Sequence, residues 1–221
     1  MTAEERIQNY LLYFDRFPVF IKNSPTGDFL IYLVYMKNTI IIHGTPSKEE
    51  FFDPTNPSPS NQHWFPWLQK QLALRDEISV ALEMPQPYEP RYDKYVSVIE
   101  NYKIDSETIL IGHSCGGGFL LRYLSENKNL QPAKVILVAP WIDPDKWLPT
   151  VSIDNDFFDF EIDTTLSDRT ELHILYSTDD EDYITDSVSI IREKLPNAHY
   201  HEFTDKDHFC TPELPELLEL L

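Results

Sequence analysis

The stretch Thr108-Ile109-Leu110-Ile111-Gly112-His113-Ser114-Cys115-Gly116-Gly117-Gly118 decides how this chain is read. Its first four residues are a short apolar run ended by glycine, which predicts a buried strand. After Gly118 the apolar positions take helical spacing, predicting a helix over roughly residues 116 to 126. A strand, then Gly-x-Ser-x-Gly, then a helix is a nucleophile elbow. The serine sits on a strained turn, exposed beyond the strand's carboxyl end, and small neighbours let strand and helix approach closely. Gly112 and Gly116 fill those flanks, and Gly117 and Gly118 slim the first helical turn. Five residues alone arise by chance, but their place between a strand and a helix makes Ser114 a candidate nucleophile for acyl transfer.

Outward from the elbow, strands and helices alternate. Strands are predicted at Thr39 to Ile42, Ile78 to Leu82, Thr108 to Ile111, Lys134 to Ala139, Glu171 to Tyr176 and Ala198 to Phe203. Helices are predicted at Trp64 to Leu74, Arg91 to Tyr102, Ile184 to Leu195 and Pro212 to Leu221. Continuous apolar strands separated by amphipathic helices imply an α/β protein of the α/β-hydrolase fold. Its mostly parallel central sheet should have about six strands, with helices on both faces. Ligands in such folds bind beyond the carboxyl ends of the strands. Residues 140 to 168 lack clear periodicity. Asp154 to Asp163, with Phe157, Phe158 and Phe160, reads as a cap over the pocket, the alternative being a crossover with its aromatics in the core.

A serine hydroxyl needs a base, and His208, in Asp205-Lys206-Asp207-His208-Phe209 after the sixth strand, is the best placed of the histidines. His113 adjoins the serine but should point into the strand's surroundings. His43 belongs to the first loop, and His63, His173, His199 and His201 fit loop or surface positions. The base needs a carboxylate to hold its tautomer, and Asp179, Asp180, Glu181 and Asp182 after the fifth strand offer one without revealing which. Donors for the oxyanion are expected from the backbone N–H of Cys115 and from the loop around Gly44 and Thr45. The Cys115 thiol is rejected as nucleophile because the elbow presents the residue before it. Trp64, Trp141 and Trp147 are candidate pocket walls, with a core role at least as well supported.

The 221 residues are enough for one sizeable core, and 42% of them are hydrophobic. The 37 acidic and 18 basic side chains give a formal charge of −19, which argues against nucleic acid or an anionic membrane as partner. Two cysteines form neither a disulfide framework nor a metal-ligand spacing, so a reducing, cytoplasmic setting is the default. Neither phosphate-loop nor dinucleotide glycine motifs occur, and Asp154, Asp156 and Asp159 lack calcium-loop spacing. No metal and no cofactor are implied. Residues 1 to 35 are read as an extension of uncertain structure and 36 to 221 as a single domain. Phe29 to Met36 is too short to span a bilayer, and Glu4, Glu5 and Asp15 contradict a secretion signal. Ile7 to Phe20 suggests a short helix or hairpin before a turn at Asn23 to Gly27. Met36 marks a candidate start of the compact domain, the alternative being an added strand or small cap.

Further marks are Ile40-Ile41-Ile42-His43-Gly44, Trp64-Phe65-Pro66-Trp67-Leu68, Met84-Pro85-Gln86-Pro87, Ser177-Thr178-Asp179-Asp180 and Phe203-Thr204-Asp205-Lys206-Asp207-His208-Phe209. On these, from Met36 to the C-terminus, the chain resembles the YdeN-like serine hydrolases, which include the retinoblastoma-binding-protein type. The resemblance implies a compact, nearly lidless hydrolase with a Ser-Asp-His triad, acting without a cofactor on small substrates; with the elbow serine, the expected reaction is cleavage of a small-molecule carboxylic ester, thioester or amide through an acyl-enzyme. It places Asp180 as the triad carboxylate and His208 as the base, with Asp179 flanking. The chain departs from the family pattern at Glu181 and Ile184, where prolines are usual, so Asp182 stays an alternative acid. It departs again at Asp207, where glycine is common before the histidine. The loop from Thr45 to Asn61 is long enough to narrow an entrance or meet a protein partner. The alternative function is accordingly a hydrolase-fold protein acting as a binding or regulatory module.

Overall fold

The computed structural model describes residues 19–23, 29–33, 38–144 and 156–221. The chain divides into two compact units, Met1–Met36 and Lys37–Leu221. In the first, β1 (Val19–Asn23) and β2 (Phe29–Leu33) form an antiparallel ladder with Val19 opposite Leu33 and Asn23 opposite Phe29. The readings placed on residues 7–18, on the turn and on Met36 lie outside the described residues.

The second unit is built on six parallel strands: β3 (Asn38–Ile42), β4 (Ile78–Leu82), β5 (Thr108–His113), β6 (Lys134–Val138), β7 (Glu171–Ser177) and β8 (His199–Phe203). Their spatial order is β4-β3-β5-β6-β7-β8. The inner strands β3, β5, β6 and β7 are mostly apolar and buried because the sheet is covered on both faces, whereas the edge strands β4 and β8 are only partly buried. Ile40 and Ile42 enter one core cluster and Ile41 the other; Leu110 enters the first, and Ile109 and Ile111 the second. The helices are α1 (Lys48–Phe52), α2 (Phe65–Ala73), α3 (Tyr92–Ile99), α4 (Cys115–Glu126), α5 (Leu166–Arg169), α6 (Asp182–Lys194) and α7 (Pro215–Leu218). Buried side chains of α3, α4, α5 and most of α6 fill the first cluster, and those of α2 and α7 the second. From β3 the chain runs outward to β4, then returns to β5 and proceeds the other way. The crevice between the carboxyl ends of β3 and β5 is therefore the switch point where such sheets take ligands.

Several element ends differ from the sequence expectation. α3 stops at Ile99 because the Asn101 side chain donates to the carbonyls of Ser97 (2.7 Å) and Val98 (3.2 Å), leaving Tyr102 outside the helix and exposed. The closing helix begins at Pro215, which lacks an N–H and suits a first helical turn. α6 starts earlier than expected, at Asp182, where its carboxylate meets the positive end of the helix dipole. The cap expected at Asp154 to Asp163 is not what the described part forms. Phe157 is fully buried, 5.0 Å from Tyr95 and 6.2 Å from Phe119 between ring centroids, and Phe158 packs on Trp141. The Arg122 guanidinium lies 3.6 Å over the Tyr92 ring and donates to the Phe157 carbonyl at 3.1 Å. Residues 156–163 are thus a core-lining crossover, because the three rings of Phe157, Phe158 and Phe160 gain more from packing on the core than from a place over water; Asp154 lies outside the described residues.

Contact between α4 and the sheet is close enough to exclude side chains. A Cβ on Gly112 would lie 2.5 Å from the Gly116 carbonyl oxygen, one on Gly116 2.4 Å from that of Ile42, and one on Gly118 1.9 Å from that of Trp141. Gly117 is less tightly placed, with a Pro140 side-chain atom 3.1 Å from such a Cβ. Urea unfolding should show Gly116→Ala and Gly118→Ala destabilised by about 1–3 kcal/mol or more, with Gly117→Ala affected least. Equal stability of all three variants would contradict this packing.

Candidate active site

Ser114 closes β5 and precedes α4 with φ 53° and ψ −121°, a strained backbone for a residue with a side chain. Both its peptide groups are tied down. Its N–H donates to the Val138 carbonyl at 2.9 Å, and its carbonyl accepts from Gly117 (2.9 Å), Gly118 (3.2 Å) and Trp141 (3.1 Å). The serine is therefore fixed at the switch point, where it lines a cleft of about 230 Å³ with His208, Gly44, Thr45 and His63.

The four acidic residues after β7 are sorted by the fold. Asp180 has a side chain with 0% exposure, and its carboxylate accepts from His208 Nδ1 at 2.9 and 3.1 Å and from the Glu181 N–H at 2.8 Å. Asp179 is exposed and points to the same loop from outside. It accepts from the Ser177 hydroxyl and from the Asp207 N–H at 3.0 Å, and these bonds hold its carboxyl below the usual carboxylate range. Glu181 stands at the N-cap position of α6 without a side-chain capping bond, and Asp182 sits exposed in that helix's first turn. The Nδ1–H of His208 is directed at Asp180, so Nε2 is the ring nitrogen left to face the cleft, and the side chain keeps 24% exposure.

On the other side of the cleft, Gly44 abuts the serine: a Cβ there would lie 3.0 Å from Ser114 Cβ and 3.5 Å from its Oγ. His43 holds this loop. Its Nε2 accepts from the Met84 N–H at 3.0 Å, so its Nδ1 carries the proton and donates to the Gly44 carbonyl at 2.7 Å. Burial keeps His43 below the ordinary histidine range. The Cys115 N–H, first in α4, has no carbonyl one turn back within the helix and lies at its positive end. Its thiol is buried and pushed up to about 12 by that burial.

Two of the proposed pocket walls stand elsewhere. Trp64 is fully buried in the core beside Phe65 and His113, and Trp141 packs against Phe158 and Tyr183. Neither lines the cleft. For Trp64, burying the large indole wholly in the core outweighs leaving one face on a small polar cleft, and Trp141 is partly buried against the same core. Trp147 lies outside the described residues. Sequence reasoning overlooked three contributors. His63 lines the cleft, half-buried, rather than standing on an outer loop, and its imidazole is lowered by burial and then by His208. Cys210, two residues past His208, also lines it. His113 is turned toward the His208 loop, its Nε2 2.8 Å from the His208 carbonyl oxygen. Proximity in sequence gave a signal for Cys210, two residues past His208, and for His113, next to Ser114, but none for His63. Among the described residues there is no cluster of three or more His, Cys, Asp or Glu suited to a metal ion, and no helix long and apolar enough to cross a membrane.

Comparison with known proteins agrees with this fold. YdeN of Bacillus subtilis (strain 168) is 26% identical over 181 residues, covering 80% of this chain and 88% of that protein. The crystal structure of the ydeN product superposes with a TM-score of 0.67 at 24% identity, covering 84% of this chain and 96% of that one. Est1E of Butyrivibrio proteoclasticus, solved with ferulic acid bound, matches with a TM-score of 0.57 at 12% identity over 91% of each chain. Both structures share the α/β-hydrolase fold. The sequence model of the family described as serine hydrolase matches residues 55–174, more than half of the chain. The chain belongs to the serine hydrolase family and is an enzyme of that type.

Proposed function

We propose that Ser114, His208 and Asp180 act together to cleave a small-molecule carboxylic ester, thioester or amide through an acyl-enzyme. The observation that carries this reading is the fully buried Asp180 carboxylate on His208 Nδ1, with His208 and Ser114 facing one cleft. Asp180 fixes the tautomer that leaves Nε2 free as base and stabilises the imidazolium once His208 has taken the Ser114 proton. The serine oxygen then attacks the carbonyl carbon. The backbone N–H of Cys115 and one from the Gly44–Thr45 loop receive the oxyanion. His208 returns its proton to the leaving group, and water activated by the same imidazole releases the acid.

A cleft of about 230 Å³ is below the usual range for drug-sized ligands, which supports a small substrate. The formal charge of −19 disfavours nucleic acid and anionic membrane as partners. The free thiols of Cys115 and Cys210 fit a reducing, cytoplasmic setting. Residues 36–221 form the hydrolase domain in this reading, and residues 1–35 an extension to it.

Ser114→Ala should abolish hydrolysis of a p-nitrophenyl ester, by on the order of 10⁴-fold or more, with an unchanged circular dichroism spectrum; turnover at the wild-type rate would refute the nucleophile. Asp180→Asn should lower kcat by about 10³- to 10⁴-fold, whereas Asp182→Asn stays within a few-fold. The reverse ranking would move the carboxylate role to Asp182. Cys115→Ala should retain turnover to within about tenfold, since it keeps the backbone N–H; a loss as deep as that of Ser114→Ala would implicate the thiol.

A further inference from the structure

We propose that His113 is a positioning residue for His208, a strut that fixes the separation of nucleophile and base. It would do so as the neutral tautomer protonated on Nε2. The inference rests on the reading of Ser114 and His208 given above.

The tautomer follows from hydrogen-bond chemistry. A peptide carbonyl only accepts, so the 2.8 Å contact between His113 Nε2 and the His208 oxygen requires the proton on Nε2. In a neutral ring Nδ1 is then bare, and it lies buried without a hydrogen-bond partner beside Gly44. The surroundings favour this neutral form. The ring is enclosed by those of Trp64 (6.1 Å), Phe65 (6.1 Å), His63 (5.7 Å) and His208 (5.0 Å). Burial first, and then the neighbouring imidazoles of His208, His63 and His43, hold His113 well below the ordinary histidine range.

The loop it braces needs bracing. Asp207 has φ 47° and Phe209 φ 56°, so His208 stands between two residues with left-handed backbone, a conformation that persists only where surrounding contacts impose it. Those contacts come in order along the loop. The Lys206 N–H donates to Ser177 Oγ at 3.1 Å, the Asp207 N–H to Asp179 at 3.0 Å, and the Phe209 N–H to the Lys206 carbonyl at 2.8 Å. They secure the residues on either side of His208. The His208 carbonyl accepts from His113 Nε2 at 2.8 Å and, more weakly, from the local Cys210 thiol at 3.7 Å, so the tie to the sheet is His113, which directly precedes Ser114. Base and nucleophile therefore hang from consecutive residues at the end of β5, and their separation is set through one imidazole. Without the strut the His208 ring keeps its Asp180 bond but its backbone loses its anchor to β5, and a displacement of about 1 Å costs on the order of 10²-fold in rate.

The test compares wild type, His113→Phe and His113→Gln. The rate of Ser114 phosphonylation by a fluorophosphonate probe is measured from pH 5 to 9, with kcat and KM for a p-nitrophenyl ester alongside. Phenylalanine fills the aromatic enclosure without a donor, whereas the glutamine amide restores an N–H at similar reach. His113→Phe should label about 10- to 100-fold more slowly at every pH, with kcat lowered and KM nearly unchanged, and His113→Gln should recover to within about fivefold. His113→Phe labelling at the wild-type rate, or His113→Gln as slow as His113→Phe, would overturn the proposal while leaving the nucleophile intact. A wild type that takes no probe at Ser114 would overturn the underlying reading as well. Imidazole ¹⁵N shifts of the folded wild type give a check that needs no variant to be stable. They should show His113 protonated on Nε2 with Nδ1 bare between pH 5 and 8, and the opposite tautomer would overturn the strut.

Discussion

Close contact between α4 and the carboxyl ends of β3 and β5 is the constraint on which the rest of the site depends. Only glycine at 116 lets α4 rest on the Ile42 and His43 carbonyls. That contact places the chain after β3 beside the chain after β5, so Gly44 meets Ser114 face to face. It also compels the abrupt turn at Ser114, whose unfavourable φ is held by the hydrogen bonds on its N–H and carbonyl. Strain of this kind costs about 1–3 kcal/mol and persists because the sheet and helix on either side are thoroughly buried.

The second organising feature is the division of labour within one acidic loop. Asp179 and Asp180 are adjacent, yet one stays exposed and ties down the backbone of the His208 loop while the other is buried against the imidazole. Burying a carboxylate is costly unless hydrogen bonds satisfy it. Asp180 has two kinds of donor, a ring N–H and a peptide N–H. Opposite it, His43 performs a related task with its two ring nitrogens. It joins the Gly44 loop to Met84 beyond β4, so the edge strand also helps to position the Gly44 side of the cleft.

The inner strands of the large sheet were legible because each is a largely apolar run packed on both sides, a signal that needs no knowledge of neighbours. The elbow was legible for a different reason: a close approach demands glycine at fixed spacing, and that demand is written in consecutive residues. Helix ends were less so, since α3 is ended by the Asn101 side chain reaching back to two carbonyls. From residues alone, no pattern distinguished Asp180 from Asp179 or Asp182. The choice depends on which side chain faces a histidine 28 positions away, and one buried carboxylate looks like its solvated neighbours in sequence. The same limit hid His113, whose partner lies 95 positions along the chain. It also misdirected Trp64, because an aromatic residue in a core and one in a pocket wall share the same helical spacing.

The central claim is that Ser114, Asp180 and His208 work as one acyl-transfer site with the Cys115 N–H among its oxyanion donors. A crystal structure of the protein after reaction with a fluorophosphonate tests it most directly, because the tetrahedral phosphorus stands in for the attacked carbonyl carbon. The account predicts phosphorus bonded to Ser114 Oγ, its oxygen about 2.7–3.1 Å from the Cys115 nitrogen, and His208 still bound to Asp180 with Nε2 turned to the adduct. Phosphorus on another residue, or an adduct at Ser114 with His208 turned away and its Asp180 bond broken, would contradict it.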